Sequence, residues 1–258
     1  RQFHSTRPKL THGLVLPDSL SSAALFYLSG IPSAGYRDEC RSVLLRWAVN
    51  KPALGLHASQ KWWHLTQEAA KRWGLATPPA YPPLVTLSIS AEDAQSARQL
   101  ICAAGLEQRP FILLAPTATG RHKGNIKVWP HFARLTAALQ SRGYRLVICP
   151  PTSEISQAQL LAPGAQLVGP LNLGAFAALA QQSALVICND SGISHLSAVA
   201  GAKQITLVGV TDPAQTGPMS DEATVLGHLG KWPTLDTVLA AVEREMAVPA
   251  PLISVDQP

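Results

Sequence analysis

From about residue 110 onward, apolar runs and amphipathic stretches alternate along the chain. Residues 110–115 (PFILLA) form a continuous apolar run that predicts a buried strand. Residues 130–141 follow with helical spacing, placing Phe132, Leu135, Ala138 and Leu139 on one face. Pro130 suits the first turn of that helix, and Gly143 suits its stop. The pattern then predicts a strand at 144–149, a helix at 153–161 and a short strand at 166–168. A helix at 173–181, a strand at 184–188, a helix at 192–199 and a strand at 204–208 complete the series. Strands separated by single helices imply a parallel, doubly wound α/β sheet. Such sheets take ligands beyond the carboxyl ends of their strands. Two polar loops lie there, 117–127 and 189–195.

The first third is less regular. Residues 12–16 are strand-like, and 19–28, 39–49, 59–73 and 91–104 have helical character. Pro78, Pro79, Pro82 and Pro83 break the chain before the last of these. This region has too few strands for a complete sheet of its own, since roughly 100–150 residues is usual for such a domain. The expected organisation is a partial N-terminal domain over 1–108, its opening strands absent, and a complete Rossmann-like domain over 109–258. Arg1 rather than methionine opens the sequence, with no signal segment after it, so a fragment or processed chain is expected.

Composition narrows the class. Hydrophobic residues make up 47% and charged residues 14% of the 258 positions, which supports a sizeable core and excludes wholesale disorder. No apolar run is long enough to span a bilayer. Cys40, Cys102, Cys149 and Cys188 form no CxxC pair, which argues against a zinc ribbon or redox dithiol and fits a reducing compartment. Cys149 and Cys188 read as small core residues at strand ends. The net charge of +5 is uneven: residues 1–75 hold ten Lys+Arg against four Asp+Glu, and the remainder is slightly acidic. A basic first third suits an anionic partner, or is a solvated basic face. Nucleic acid is not the expected partner, because basic and aromatic residues do not interleave and no recognition motif occurs.

The run Val186-Ile187-Cys188-Asn189-Asp190-Ser191-Gly192-Ile193-Ser194-His195 carries the clearest candidate chemistry. An apolar strand ends at a polar turn, and a helix begins. Unpaired N–H groups and the helix dipole at such a start attract an anion. Gly192 lets a ligand approach the backbone, Asp190 or Ser191 can cap the helix, and His195 shares a face with the turn. The same joint also occurs as pure scaffolding. In the other loop, Thr117, Thr119, Gly120 and the cations Arg121, Lys123 and Lys127 precede a helix start. Hydroxyls, amides and a lysine can hold phosphate oxygens. The loop is not a Walker A sequence, and GxGxxG is absent. Trp129 reads as a packing anchor.

At these residues the chain resembles glycosyltransferase family 9, the ADP-heptose:lipopolysaccharide heptosyltransferases. Lys127-Val128-Trp129-Pro130 is similar to the family's K-x-W-P. Asp190-Ser191-Gly192-Ile193-Ser194-His195-Leu196 is similar to its D-[ST]-G-x-x-H-[LA], and Gly209-Val210-Thr211-Asp212-Pro213 to its G-x-[TS]-x-P loop. Residues 14–35 look like a segment of the family's N-terminal domain that ends in G-[YF]-R.

The resemblance implies a GT-B fold, with a nucleotide-sugar held by the C-terminal domain and an acceptor received by the N-terminal one. By position, Thr117, Thr119 and Lys127 would hold donor phosphates. Asp190, Ser191 and Gly192 would sit at the pyrophosphate end, and His195 near the sugar. Glu154 matches a family acid that meets the ribose, or is a charge near a helix N-cap. Asp212 shapes a turn before Pro213. Arg37, Arg41, Arg46 and Lys61 would face the acceptor, an anionic lipid A–core glycan, or the membrane. The implied reaction is inverting, metal-independent transfer of heptose from ADP-heptose to the lipopolysaccharide inner core, in the cytoplasm or peripherally on the inner membrane. No cofactor is implied. Another acceptor, or nucleotide-sugar binding without catalysis, is the alternative. The family's base is a carboxylate after the first strand of the N-terminal domain; nothing in this sequence matches it, which is what keeps the alternative of donor binding without transfer open.

Overall fold

A computed structural model describes residues 11–52, 55–77, 80–81 and 85–247. The chain divides into two compact units, Arg1–Pro83 and Leu84–Pro258.

In the first unit, β1 (Gly13–Val15), α1 (Leu20–Leu28), β2 (Ser33–Tyr36), a 3-10 turn (Glu39–Leu44), β3 (Trp47–Val49) and α2 (Ala58–Arg72) follow in order. The strands form a parallel sheet ordered β1-β2-β3. Ser19 caps α1 by accepting from the Ser22 N–H, an N-terminal orphan donor that needs such a partner. Val15, Ala23 and Leu45 pack in one small cluster, and Tyr36, Val49 and Leu65 in another.

One expectation fails here. Residues 39–49 are not a helix but a turn followed by a strand. Their apolar run from Val43 to Val49 fits either period, and pairing with β2 decides for the strand. β2 itself, Ser-Ala-Gly-Tyr, has little strand propensity, yet it is central in the sheet and all four residues are buried. The four prolines that break the pattern lie outside the described residues.

The second unit begins with α3 (Ala91–Ala103), β4 (Phe111–Ala115) and a two-stranded ribbon, β5 (Arg121–His122) and β6 (Asn125–Ile126). It continues with α4 (Phe132–Ser141), β7 (Arg145–Ile148), α5 (Ile155–Leu161), β8 (Gln166–Leu167), α6 (Leu173–Gln182), β9 (Leu185–Asn189) and α7 (Gly192–Val199). After β10 (Gln204–Leu207) come α8 (Pro213–Thr216), β11 (Ala223–Leu226) and α9 (Leu235–Ala247), three elements beyond the expected closing strand. The six-stranded sheet is parallel throughout, ordered β11-β10-β9-β4-β7-β8.

Alternation along the central strands builds a core on each face. Ile112 and Leu114 of β4, with Leu185 and Ile187 of β9, join Phe132, Leu135 and Leu139 of α4 and Val238 and Val242 of α9. Phe111 and Leu113, with Val186 and Cys188, join Ala97 and Ile101 of α3 and Leu179 of α6 on the other. Because α3 completes this second core, residues 84–108 group with the second unit, not with the first as a division at 108 had placed them. Gly143 follows α4 at φ +81, in the left-handed conformation that ends a helix at little steric cost. The β5–β6 turn holds both Lys123 (φ 48) and Gly124 (φ 83) at positive φ, as a two-residue hairpin loop requires.

Chain direction reverses between β4 and β9. From β4 the chain moves outward to β7 and β8; from β9 it moves the other way to β10 and β11. The crevice beyond these strand ends is the place where such a fold receives a ligand.

Candidate functional site

The loops after β4, β7 and β9 enclose a cavity of about 520 Å³ at this switch point. Thr117 and Thr119 come from the first loop, Glu154 from the second, and Ser191, Gly192 and His195 from the third. Its apolar wall is Leu173, Phe176, Leu196 and Val199. A Cβ on Gly192 would meet nothing within 4 Å, so the backbone at the start of α7 is open to a ligand. Glu154 occupies the N-cap position of α5 but makes no capping hydrogen bond; its place is on the cavity wall. His195 is exposed on α7 and reaches the same space.

Of the two residues expected to cap the helix, the structure takes Ser191. Asp190 makes no cap. Ser191 holds the N-cap position in a capping-box arrangement with Ser194, although its buried Oγ completes no hydrogen bond of its own among the described residues. The Ser194 hydroxyl instead donates to the Ser191 carbonyl at 2.8 Å and accepts from its N–H at 3.4 Å. A buried hydroxyl left idle beside a cavity is a group that a ligand can satisfy.

Lys127 and Asp190 are not among the residues that line the cavity; they pair with each other. Asp190 is buried, and its Oδ2 takes the Lys127 ammonium at 2.9 Å and the Thr211 hydroxyl at 2.5 Å. Oδ1 is buried and has no partner among the described residues. Lys127 keeps 18% of its side chain exposed. One carboxylate oxygen thus ties together the loops after β4, β9 and β10.

Asn189 supplies a second tie that the sequence did not announce. It is fully buried at the end of β9, accepts from the Trp129 N–H at 2.8 Å and donates to the Pro116 carbonyl at 2.7 Å. Both ends of the 117–127 loop are therefore pinned to the strand that launches α7. Trp129 is the packing anchor expected of it: it is fully buried, edge-on to Phe132, and donates from Nε1 to the Pro233 carbonyl at 2.9 Å. Asp212 shapes the next turn, accepting from the Ala214 N–H at 3.1 Å. The only sequence signal for Asn189 was a polar residue closing an apolar strand.

Both strand-end cysteines are buried, as expected. Burial pushes the Cys149 thiol up to about 11 and the Cys188 thiol to about 12. Cys149 lines the cavity.

In the first unit, Arg37 and Arg46 are exposed, whereas Arg41 is not: only 2% of its side chain is accessible. It donates to the Pro17 carbonyl at 2.9 Å and pairs with Asp18 at 3.2 Å. Gly35 makes room for it, since a Cβ there would stand 2.8 Å from Nη2. The expectation that Arg41 faces an acceptor is corrected accordingly; its guanidinium braces the β1 loop. Asp18 also pairs with Lys51, which bridges to Asp38 at 2.7 Å. Lys61 lines a cavity of about 230 Å³ with Asp18, Tyr36, Lys51 and Trp62. The Tyr36 hydroxyl donates to the Lys61 carbonyl, which fixes that wall, and burial raises its pKa.

A parallel doubly wound sheet with a helix start and a cavity at its switch point defines an α/β protein with a ligand crevice beyond its strand ends. The sequence profile of glycosyltransferase family 9 (heptosyltransferase) matches residues 6–243, and the chain belongs to this family. It is 30% identical over 236 residues to lipooligosaccharide heptosyltransferase 2 of Haemophilus influenzae, covering 86% of this chain and 67% of that one. Against lipopolysaccharide heptosyltransferase 2 of Salmonella typhimurium the identity is 28%, over 88% of this chain and 68% of the relative. Among solved structures, E. coli ADP-heptose LPS heptosyltransferase II superposes with a TM-score of 0.67 at 22% identity, over 92% of this chain and 76% of that one. E. coli heptosyltransferase WaaC with ADP gives 0.62 at 20% identity, over 91% and 72%. The fold is thus of GT-B type, and the chain is a family 9 glycosyltransferase close to the lipopolysaccharide heptosyltransferases.

Proposed function

We propose that this chain moves heptose from ADP-heptose to the lipopolysaccharide inner core, with its donor site in the second unit. The observation that carries the reading is the cavity at the β4/β9 switch point. It combines an open helix start, an idle buried hydroxyl and an apolar wall. Each suits one part of a nucleoside diphosphate sugar: the α7 N–H groups and Ser191 the diphosphate, and Leu173, Phe176, Leu196 and Val199 the base. Glu154 suits the ribose hydroxyls and His195 the sugar. The ADP-heptose in the name of the E. coli heptosyltransferase II structure and the ADP in the WaaC structure support the choice of nucleotide.

In the proposed reaction an acceptor hydroxyl attacks the anomeric carbon and the bond to the diphosphate breaks, with inversion. Negative charge grows on the leaving diphosphate, where the α7 start, Thr117, Thr119 and Lys127 supply hydrogen bonds and charge without requiring a metal. The hydroxyl proton needs a base, which the described residues do not offer by motif. The acceptor side is assigned to the unit Arg1–Pro83. There Arg37 is exposed, and Lys61 and Lys51 line the smaller cavity, a setting suited to an anionic glycan. Among the described residues no helix is long and apolar enough to cross a membrane; the proposed place of action is the cytoplasmic face of the inner membrane.

The test is calorimetric titration of the chain with ADP, UDP and GDP in the absence of added metal. Saturable binding selective for ADP is expected. Equal binding of all three would remove the choice of donor, and binding of none would remove the site.

A further inference from the structure

Asp190 Oδ2 receives two donors at once, the Lys127 ammonium at 2.9 Å and the Thr211 hydroxyl at 2.5 Å. Thr211 is 3% exposed and lies in the loop after β10. It does not line the donor cavity, so it has no ligand to meet there. Its hydroxyl is the neutral partner of a carboxylate whose other oxygen has none among the described residues. Without that hydroxyl, the carboxylate would be held by the lysine alone and could pivot about its Cβ–Cγ bond. The lysine, at the end of a flexible four-carbon stem, would then lose its fixed counter-charge.

We propose that Thr211 is a positioning residue for Lys127: its hydroxyl pins the Asp190 carboxylate, and the pinned carboxylate holds the ammonium at the edge of the diphosphate site. Lys127 carries three N–H donors. One faces Asp190, and the other two stay available to phosphate oxygens only while the ammonium keeps its place. The threonine thus sets phosphate affinity from a position that does not line the donor cavity. The phosphate role of Lys127 rests on the function proposed above. The control of Lys127 by Thr211 rests on the bond geometry and is tested separately.

The experiment uses the full chain with Thr211→Val, which keeps the shape and removes the hydroxyl, and Thr211→Ser, which restores it. Without ligand, the amines are acylated with a water-soluble succinimidyl ester and the rate at each lysine is read by mass spectrometry. Exposed Lys123 and Lys231 serve as internal references. Thr211→Val is expected to raise the Lys127 rate about tenfold, the weight of one hydrogen bond to a charged group, and Thr211→Ser to return it to the starting value. An unchanged Lys127 rate in Thr211→Val overturns the proposal, whether or not ADP binds. With ADP, Thr211→Val is expected to weaken binding about tenfold in the parent chain and by less than about twofold in a Lys127→Met background, because the valine acts through the lysine. Equal weakening in both backgrounds also overturns it. Absence of ADP binding by the parent chain overturns the proposed function, and the acylation rates then decide the role of Thr211 alone.

Discussion

Asn189→Ala tests whether the donor loop is held by hydrogen bonds rather than by shape. The side chain is fully buried and makes bonds of 2.7 Å and 2.8 Å to the Pro116 carbonyl and the Trp129 N–H. Alanine removes both bonds and leaves both backbone groups buried. Each orphaned group costs about 1–3 kcal/mol, so the pair should cost about 2–6 kcal/mol. Trp129 limits the relief available from relaxation, because its ring is fully buried and its Nε1 is tied to Pro233. For a unit of this size, 1 kcal/mol moves the midpoint by about 2–4 °C, so a loss of about 5–20 °C is expected. The assay is differential scanning calorimetry of the parent and variant chains. Exposed Ser141→Ala, which loses only a bond to its own helix, is the reference and should shift little. An Asn189→Ala transition within about 2 °C of the parent would refute the reasoning, since two buried unsatisfied groups cannot cost so little.

His195→Ala should reduce sugar transfer more than ADP affinity; an equal loss in both would move His195 to the phosphates. Iodoacetamide at pH 8 should label exposed Cys40 and Cys102 well before Cys149. Burial raises the Cys149 pKa from 9.0 to about 11, which lowers its thiolate fraction about a hundredfold; Cys149 labelling should therefore climb as pH rises toward 11, and early labelling would contradict that burial. Arg41→Ala should lower the melting temperature of the first unit by several degrees, because it removes the bonds to the Pro17 carbonyl and Asp18 and empties packed volume. Arg37→Ala, at an exposed position, should leave it unchanged; equal losses would contradict the burial assigned to Arg41.

The second unit was legible because its signals are local. A buried parallel strand needs apolar residues on both faces, and β4, β7 and β9 show that in five residues or fewer. An amphipathic helix repeats its apolar positions within two turns, as α4 does. The first unit was harder to read because β2 is made of small residues and β3 of a run that also fits a helix. Their strand form depends on neighbours paired across the sheet. The candidate site divides the same way. Thr117, Thr119, Glu154, Ser191, Gly192 and His195 follow strand ends, so the order of elements was enough to bring them to one cavity.

Sequence alone determined the doubly wound sheet of the second unit, the helix start at Gly192 and the family to which these motifs point. Short-range periodicity and turn chemistry carry that information within a few residues. Only the tertiary structure decided what each polar group does. Asn189 meets Trp129 across 60 residues and Pro116 across 73, and Asp190 gathers a lysine and a threonine from two other loops. Arg41, a surface cation by its residue type, is drawn under a glycine strand. A buried polar group is stable only with a partner, and the partner is chosen by which loops the sheet brings together, an arrangement that no short stretch of chain contains.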